Sequence, residues 1–145
     1  ILIINKGSND GLENEMPVIS YNGILVGRIS KVFANSAQVT LVNNPDFAVG
    51  GIVQRSRTIG LVTGQVNQPE INIMDKIPAE SDLEVGDRIL TSGLSNSYPK
   101  YLPIGEVVNI KSDDYGLSQV AEVELFFSKY TVEEVLIITD FQERM

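Results

Sequence analysis

Apolar residues recur along this chain mostly at every second position, in short runs broken by Gly, Asn, Asp, Ser and Pro. Successive side chains of a strand point to opposite faces, so this is the pattern of half-buried strands and not of amphipathic helices. In SAQVTLV, for instance, Ala37, Val39 and Leu41 share one face while Ser36, Gln38 and Thr40 share the other. The pattern predicts strands at 1–5, 16–21, 23–33, 36–43, 48–55, 58–66, 70–74, 87–92, 104–112, 119–127 and 134–139, hence an all-β protein. Tyr21-Asn22-Gly23 is the clearest hairpin signal, read as a type I′ turn because Asn-Gly accepts positive φ. The stretch from Asp75 to Glu84 has room for one helical turn; no long helix is predicted.

Sliding the chain against itself reveals an internal repeat. Leu12, Glu13, Val18, Ile19 and Ser20 resemble Leu83, Glu84, Ile89, Leu90 and Thr91 at an offset of 71. Val26, Gly27, Ile29 and Val32 match Ile104, Gly105, Val107 and Ile110 at an offset of 78. Ala37, Gln38, Val39 and Leu41 then match Ala121, Glu122, Val123 and Leu125, and Ile52 and Val53 match Ile137 and Ile138. Offsets that grow only between strands imply duplication into two similar small barrels, 1–56 and 57–145, with the last strand a candidate to complete part of the first. Gly27 and Gly105 are the expected barrel corners, where a Cβ is unwelcome. A unit of about 55 residues buries a meagre core, so the halves are expected to pack together. QRSRTIGLVTG, from Gln54 to Gly64, is the expected connection between them. Twelve residues separate Thr91 from Ile104 where five separate Ser20 from Val26, so SNSYPKYLP lies in an insertion. Long loops on a rigid β scaffold often carry binding, and tyrosine is favoured at interfaces, which draws attention to Tyr98 and Tyr101.

Composition narrows the chemistry. The net charge of −8 disfavours the phosphate neutralisation on which nucleic acid binders depend. The absence of His and Cys removes the usual base, nucleophile and ligands of serine, cysteine and zinc hydrolases. GLVTG at 60–64 has GxxxG spacing in a β context and reads as structural. No GxGxxG or GxxxxGK[ST] cradle for phosphate is present. ESDLEVGD, Glu80–Asp87, lacks EF-hand spacing and reads as a solvated turn. Asp113 and Asp114 read as the tip of a hairpin. A dyad of Lys100 with Ser92, Ser95 or Ser97 has nothing evident to lower the lysine pKa. No catalytic residue, metal site or cofactor is therefore assigned. The chain begins with ILII and no initiator Met, and is read as a fragment whose targeting or anchoring segment lies elsewhere.

The ordered segments NKGSNDGLENEMPVIS, NGILVGRISKV, NSAQVTLV, VQRSRTIGLVTGQ, LEVGDRILTSGLSNSYPKYLPIGEV and VEEVLII resemble the extracytoplasmic β domains of the rod shape-determining MreC family. The resemblance implies two six-stranded barrels arranged as in chymotrypsin-like proteases but without a catalytic site. It also implies a membrane-anchored, extracytoplasmic scaffold of the wall elongation machinery that controls cell shape. Implied partners are further copies of itself as dimers or filaments, a class B penicillin-binding transpeptidase and the membrane protein MreD. Candidate contacts are Tyr98, Tyr101 and Leu102 in the insertion and Phe126 and Phe127 at a strand end, where adjacent aromatics cannot share one face. Two other classes fit the same strand pattern: an enzyme on the same double barrel, and a wall-polysaccharide-binding module.

Overall fold

The computed structural model describes residues 2–94, 98–127 and 135–139. In chain order its strands are β1 (Leu2–Ile4), β2 (Pro17–Ser20), β3 (Leu25–Val32), β4 (Ala37–Leu41), β5 (Ala48–Val53), β6 (Ile59–Thr63), β7 (Ile71–Pro78), β8 (Arg88–Thr91), β9 (Pro103–Ser112), β10 (Ser118–Leu125) and β11 (Val135–Ile137). A 3₁₀ turn at Ser8–Asp10 is the only helical element among the described residues. The strands form a closed barrel, β10-β7-β6-β5-β8-β9, and a five-stranded sheet, β1-β4-β3-β2-β11, all antiparallel. One of the two expected six-stranded barrels is thus closed and six-stranded, and the other is a curled half-barrel of five described strands.

Both units share one strand order: β1-β4-β3-β2-β11 corresponds to β7-β10-β9-β8-β5, and β6 closes the barrel between β5 and β7. The correspondence extends to single hydrogen bonds. Glu15 N–H donates to Ile29 O as Gly86 N–H donates to Val107 O, both at 2.8 Å. Ser20 N–H donates to Ile24 O as Thr91 N–H donates to Leu102 O, and Val42 N–H to Val26 O as Phe126 N–H to Ile104 O. Gly27 lies opposite Leu41, and Gly105 opposite Leu125. A Cβ on either glycine would overlap the backbone carbonyl of Thr40 or of Glu124, so close strand approach excludes any side chain there.

The units exchange their last strands. β5, which the sequence places in the first barrel ending at residue 56, pairs with β6 and β8 of the closed barrel. β11, at the far end of the chain, pairs with β2 of the half-barrel. Residues 54–64, expected to connect the halves, instead form the β5–β6 turn and strand β6; the chain crosses between sheets at 42–47. Each copy's apolar strand finds its edge partner in the other copy, a pairing that alternation alone cannot encode.

Two local readings also change. The helical turn expected within 75–84 is absent: β7 runs on to Pro78, held by Leu61↔Asp75 and Ile77↔Gln119, and Lys76 takes a positive φ of 59° where the β7–β10 register shifts. At Tyr21-Asn22-Gly23 only Gly23 has positive φ, 87°, and its N–H donates to Ser20 O, so glycine rather than Asn-Gly makes the turn and the type I′ geometry is not formed. Val62, Met74, Ile77 and Ile89 fill the barrel, Val18, Ile29 and Val39 the half-barrel, in one contiguous core.

Candidate partner-binding surface

The insertion after β8 is tied back by a buried threonine. Thr91 Oγ1 donates to Pro99 O at 2.7 Å and accepts the Leu102 N–H at 2.8 Å, while Tyr101 N–H donates to Thr91 O at 2.8 Å. This fixes where Tyr98, Tyr101 and Leu102 go, and they go to different places. Tyr98, expected at the surface, is 6% exposed. Its ring meets Phe47 edge to face, with centroids 6.1 Å apart, and Arg28 of β3 covers Phe47 at 6.0 Å. Phe47 lies in the crossing segment, so Tyr98 plugs the junction of the two units. Its hydroxyl has no hydrogen-bond partner among the described residues, and burial pushes its pKa upward.

Tyr101 does reach the surface, 46% exposed. The Arg57 guanidinium stacks 5.0 Å from the centre of its ring and donates to its hydroxyl at 2.7 Å. Both residues hold positive φ, 65° at Arg57 and 70° at Tyr101, a conformation that side chains other than glycine adopt at a cost. Leu102 is half-buried against the core. Of the adjacent aromatics at the end of β10, Phe127 is buried and Phe126 is 36% exposed, on opposite faces as strand geometry requires. Arg88 stacks 5.2 Å from the Phe126 ring.

The two stacks share one wall. Gly51 and Ile89 point into the barrel, where a Cβ on Gly51 would press on Val62 and Ile89. Their neighbours Ile52, Leu90 and Arg88 therefore point outward. Ile59, Ile52 and Leu90 pair in a row across β6, β5 and β8. Ile52 and Leu90 are buried although they face out, and Ile59 is 43% exposed. The outer wall thus exposes Ile59 beside the covered pair Ile52 and Leu90, together with the Arg57–Tyr101 and Arg88–Phe126 stacks. Arg57 and Arg88 were missed in the sequence because the stretch around Arg57 resembled a linker; the basic-polar run QRSRT beside a strand was the available signal.

The acidic stretch read as a solvated turn is in fact organised around Arg55 in the β5–β6 turn. Arg55 bonds Asp87 through Nε at 2.8 Å and Nη2 at 3.0 Å, and Asp82 through Nη1 at 2.6 Å, with Glu84 at 3.3 Å. Asp87 is buried and also accepts the Glu84 N–H at 2.8 Å. The Arg55 hydrogen bonds hold the carboxyls of Asp87 and Asp82 below the usual carboxylate range. A cation locked among carboxylates is a structural clasp, not an acid–base pair. Among the described residues no cluster of three metal-ligating side chains occurs.

A closed antiparallel barrel joined by exchanged strands to a half-barrel defines an all-β protein of the paired-barrel class. The family model described as rod shape-determining protein MreC, barrel core, matches residues 1–139, and the chain belongs to that family. The cell shape-determining protein MreC of Streptococcus pneumoniae is 30% identical over 94% of this chain and 52% of its own length. The chain spans about half the length of the curated relatives it matches. Among solved structures, MreC of Listeria monocytogenes superposes with a TM-score of 0.85 at 27% identity, covering 93% of this chain and 65% of that one. The major periplasmic domain of the cell shape-determining filament MreC superposes at 0.74 and 28% identity, covering 87% and 77%. A complex between penicillin-binding protein PBP2 and MreC from Helicobacter pylori contains a chain that matches at 0.67 and 21% identity, covering 83% and 74%.

Proposed function

We propose that this chain is a non-enzymatic, extracytoplasmic scaffold of the wall elongation machinery, attached to the membrane by a segment outside the sequence in hand. Its partners in this reading are a class B penicillin-binding transpeptidase, further copies of itself and MreD. The solved complex of PBP2 with a family member supports the first partner, and the name of the solved periplasmic domain, a filament, supports the second.

The observation that carries the reading is the wall on the closed barrel, where exposed Tyr101, Phe126 and Ile59 stand with two arginines. Tyrosine, aromatic and arginine side chains dominate binding energy at protein interfaces. Of the residues first expected as contacts, Tyr101 and Phe126 serve here, whereas Tyr98 and Phe127 are buried and Leu102 packs half-buried against the core. The polysaccharide reading is weaker, because guanidinium groups cover the Tyr101 and Phe126 rings of this wall, and the exposed Tyr21 and Tyr115 lie in separate turns of different sheets.

The test is binding of the transpeptidase ectodomain from the same organism to the immobilised chain. Tyr101→Ala with Phe126→Ala is expected to weaken binding at least about tenfold with an unchanged unfolding temperature. An unaltered Kd removes this wall from the interface.

A further inference from the structure

We propose that the wall selects a partner segment carrying Asp or Glu side chains beside apolar ones, with Arg57 and Arg88 as the residues that read the carboxylates. The inference rests on the reading of this wall as a partner surface and adds the chemistry of what it takes.

Four arginines lie among the described residues. Arg28 is ion-paired to Glu15, and Arg55 to Asp82, Glu84 and Asp87. Arg57 and Arg88 form no ion pair with a described carboxylate; each lies over an aromatic ring at the surface. In a chain of net charge −8, Arg57 and Arg88 are two exposed cations on one wall that no described carboxylate neutralises by an ion pair, although Glu106 stands across from Arg88. Guanidinium groups held by stacking lose little freedom on binding and keep donors for a carboxylate. Exposed Ile59, Tyr101 and Phe126 lie on the same wall as the two arginines, so one segment can set an apolar side chain against them and a carboxylate beside it.

Acidic neighbours sharpen the selection. Glu106 lies directly across from Arg88 in the β8–β9 ladder, and Glu124 across from Glu106. Both are exposed, yet the Arg88 guanidinium is turned to the Phe126 ring instead of to either. Glu106 and Glu124 repel a partner carboxylate from the β9–β10 side of Arg88 and leave the side toward β5 and Arg57 open to it, which fixes the register of the bound segment by exclusion as well as attraction.

The probes are a short fluorescent peptide alternating Glu and Phe, and the same peptide with Gln in place of Glu. The Glu peptide is expected to bind, to weaken as salt is raised, and to bind about tenfold more tightly than the Gln peptide. Arg57→Asn, chosen because asparagine tolerates the left-handed backbone, and Arg88→Ser should each reduce that preference, and Glu106→Gln should increase affinity for the Glu peptide. Equal binding of the two peptides, or a preference that survives both arginine substitutions in folded protein, overturns the inference. Loss of transpeptidase binding on Tyr101 and Phe126 substitution with no effect of the arginines sinks the inference alone. A retained carboxylate preference with no transpeptidase binding sinks only the partner.

Discussion

Single residues show where the two copies diverged under the same geometric demand. Gly86 has a φ of 96°, and its equivalent in the other copy is Glu15, held at 74° by the same hydrogen bond to the neighbouring strand. Glycine accepts that conformation freely, whereas glutamate strains in it by roughly 1 kcal/mol. The 3.5 Å pair of Glu15 with Arg28 is exposed on the Glu15 side and offsets little. Glu15→Gly is therefore expected to raise stability by about 0.5–1 kcal/mol in chemical denaturation. Tyr98 makes a second case: its hydroxyl is buried without a described partner. Tyr98→Phe should stabilise by up to about 1 kcal/mol, and Tyr98→Ala should cost about 3 kcal/mol by emptying the junction beside Phe47. A Phe variant that is less stable than the parent would show that the hydroxyl is satisfied after all.

Elements depend on contacts that their own residues do not announce. The loop from Asp82 to Asp87 is held by a cation from a turn 27 residues earlier in sequence, through the Arg55–Asp82 and Arg55–Asp87 bonds. Asp87 has a folded pKa below its unfolded value, chiefly through its hydrogen bond with Arg55. The stabilisation is therefore complete above the unfolded carboxylate pKa of about 4 and is lost as pH falls through the lower folded value. Asp87→Asn should flatten the acid limb of the stability–pH curve while costing about 1–3 kcal/mol at neutral pH. Parallel acid limbs in the two proteins would remove the clasp from the explanation. At the β9–β10 hairpin the sequence did better. Asp113, read as turn chemistry, accepts the Tyr115 and Leu117 N–H groups and the Ser118 hydroxyl, and these bonds draw its pKa down, the Ser118 bond most.

For the whole molecule, strand exchange is the governing fact. β5 completes the barrel although it belongs to the first repeat, and β11 lies on the half-barrel although it ends the second. Neither unit can keep its ladder when the other is removed. A polypeptide of residues 1–56 should therefore show no cooperative unfolding transition by calorimetry, and the full chain should show one. Two resolved transitions, or a folded 1–56 fragment, would contradict a single shared core. Truncation after Phe127, which removes β11, should lower the unfolding temperature and increase amide exchange first in β2.

The amino-acid order by itself determined the all-β class, nearly every strand, the twofold repeat and the corner glycines, because period-two burial and steric exclusion of a Cβ act on neighbours in sequence or directly opposite. It also marked Tyr101 and Phe126 as residues worth placing. The same order marks the last strand as a candidate for the first unit, where β11 pairs with β2. Only the tertiary structure decided that β5 joins the closed barrel, that Tyr98 seals a junction while Tyr101 faces out, and that Arg57 and Arg88 gather on one wall. Those outcomes depend on hydrogen-bonding edges and side chains brought together from distant parts of the chain. Several registers satisfy the same alternation locally, and only simultaneous closure of the barrel and burial of the shared core selects among them.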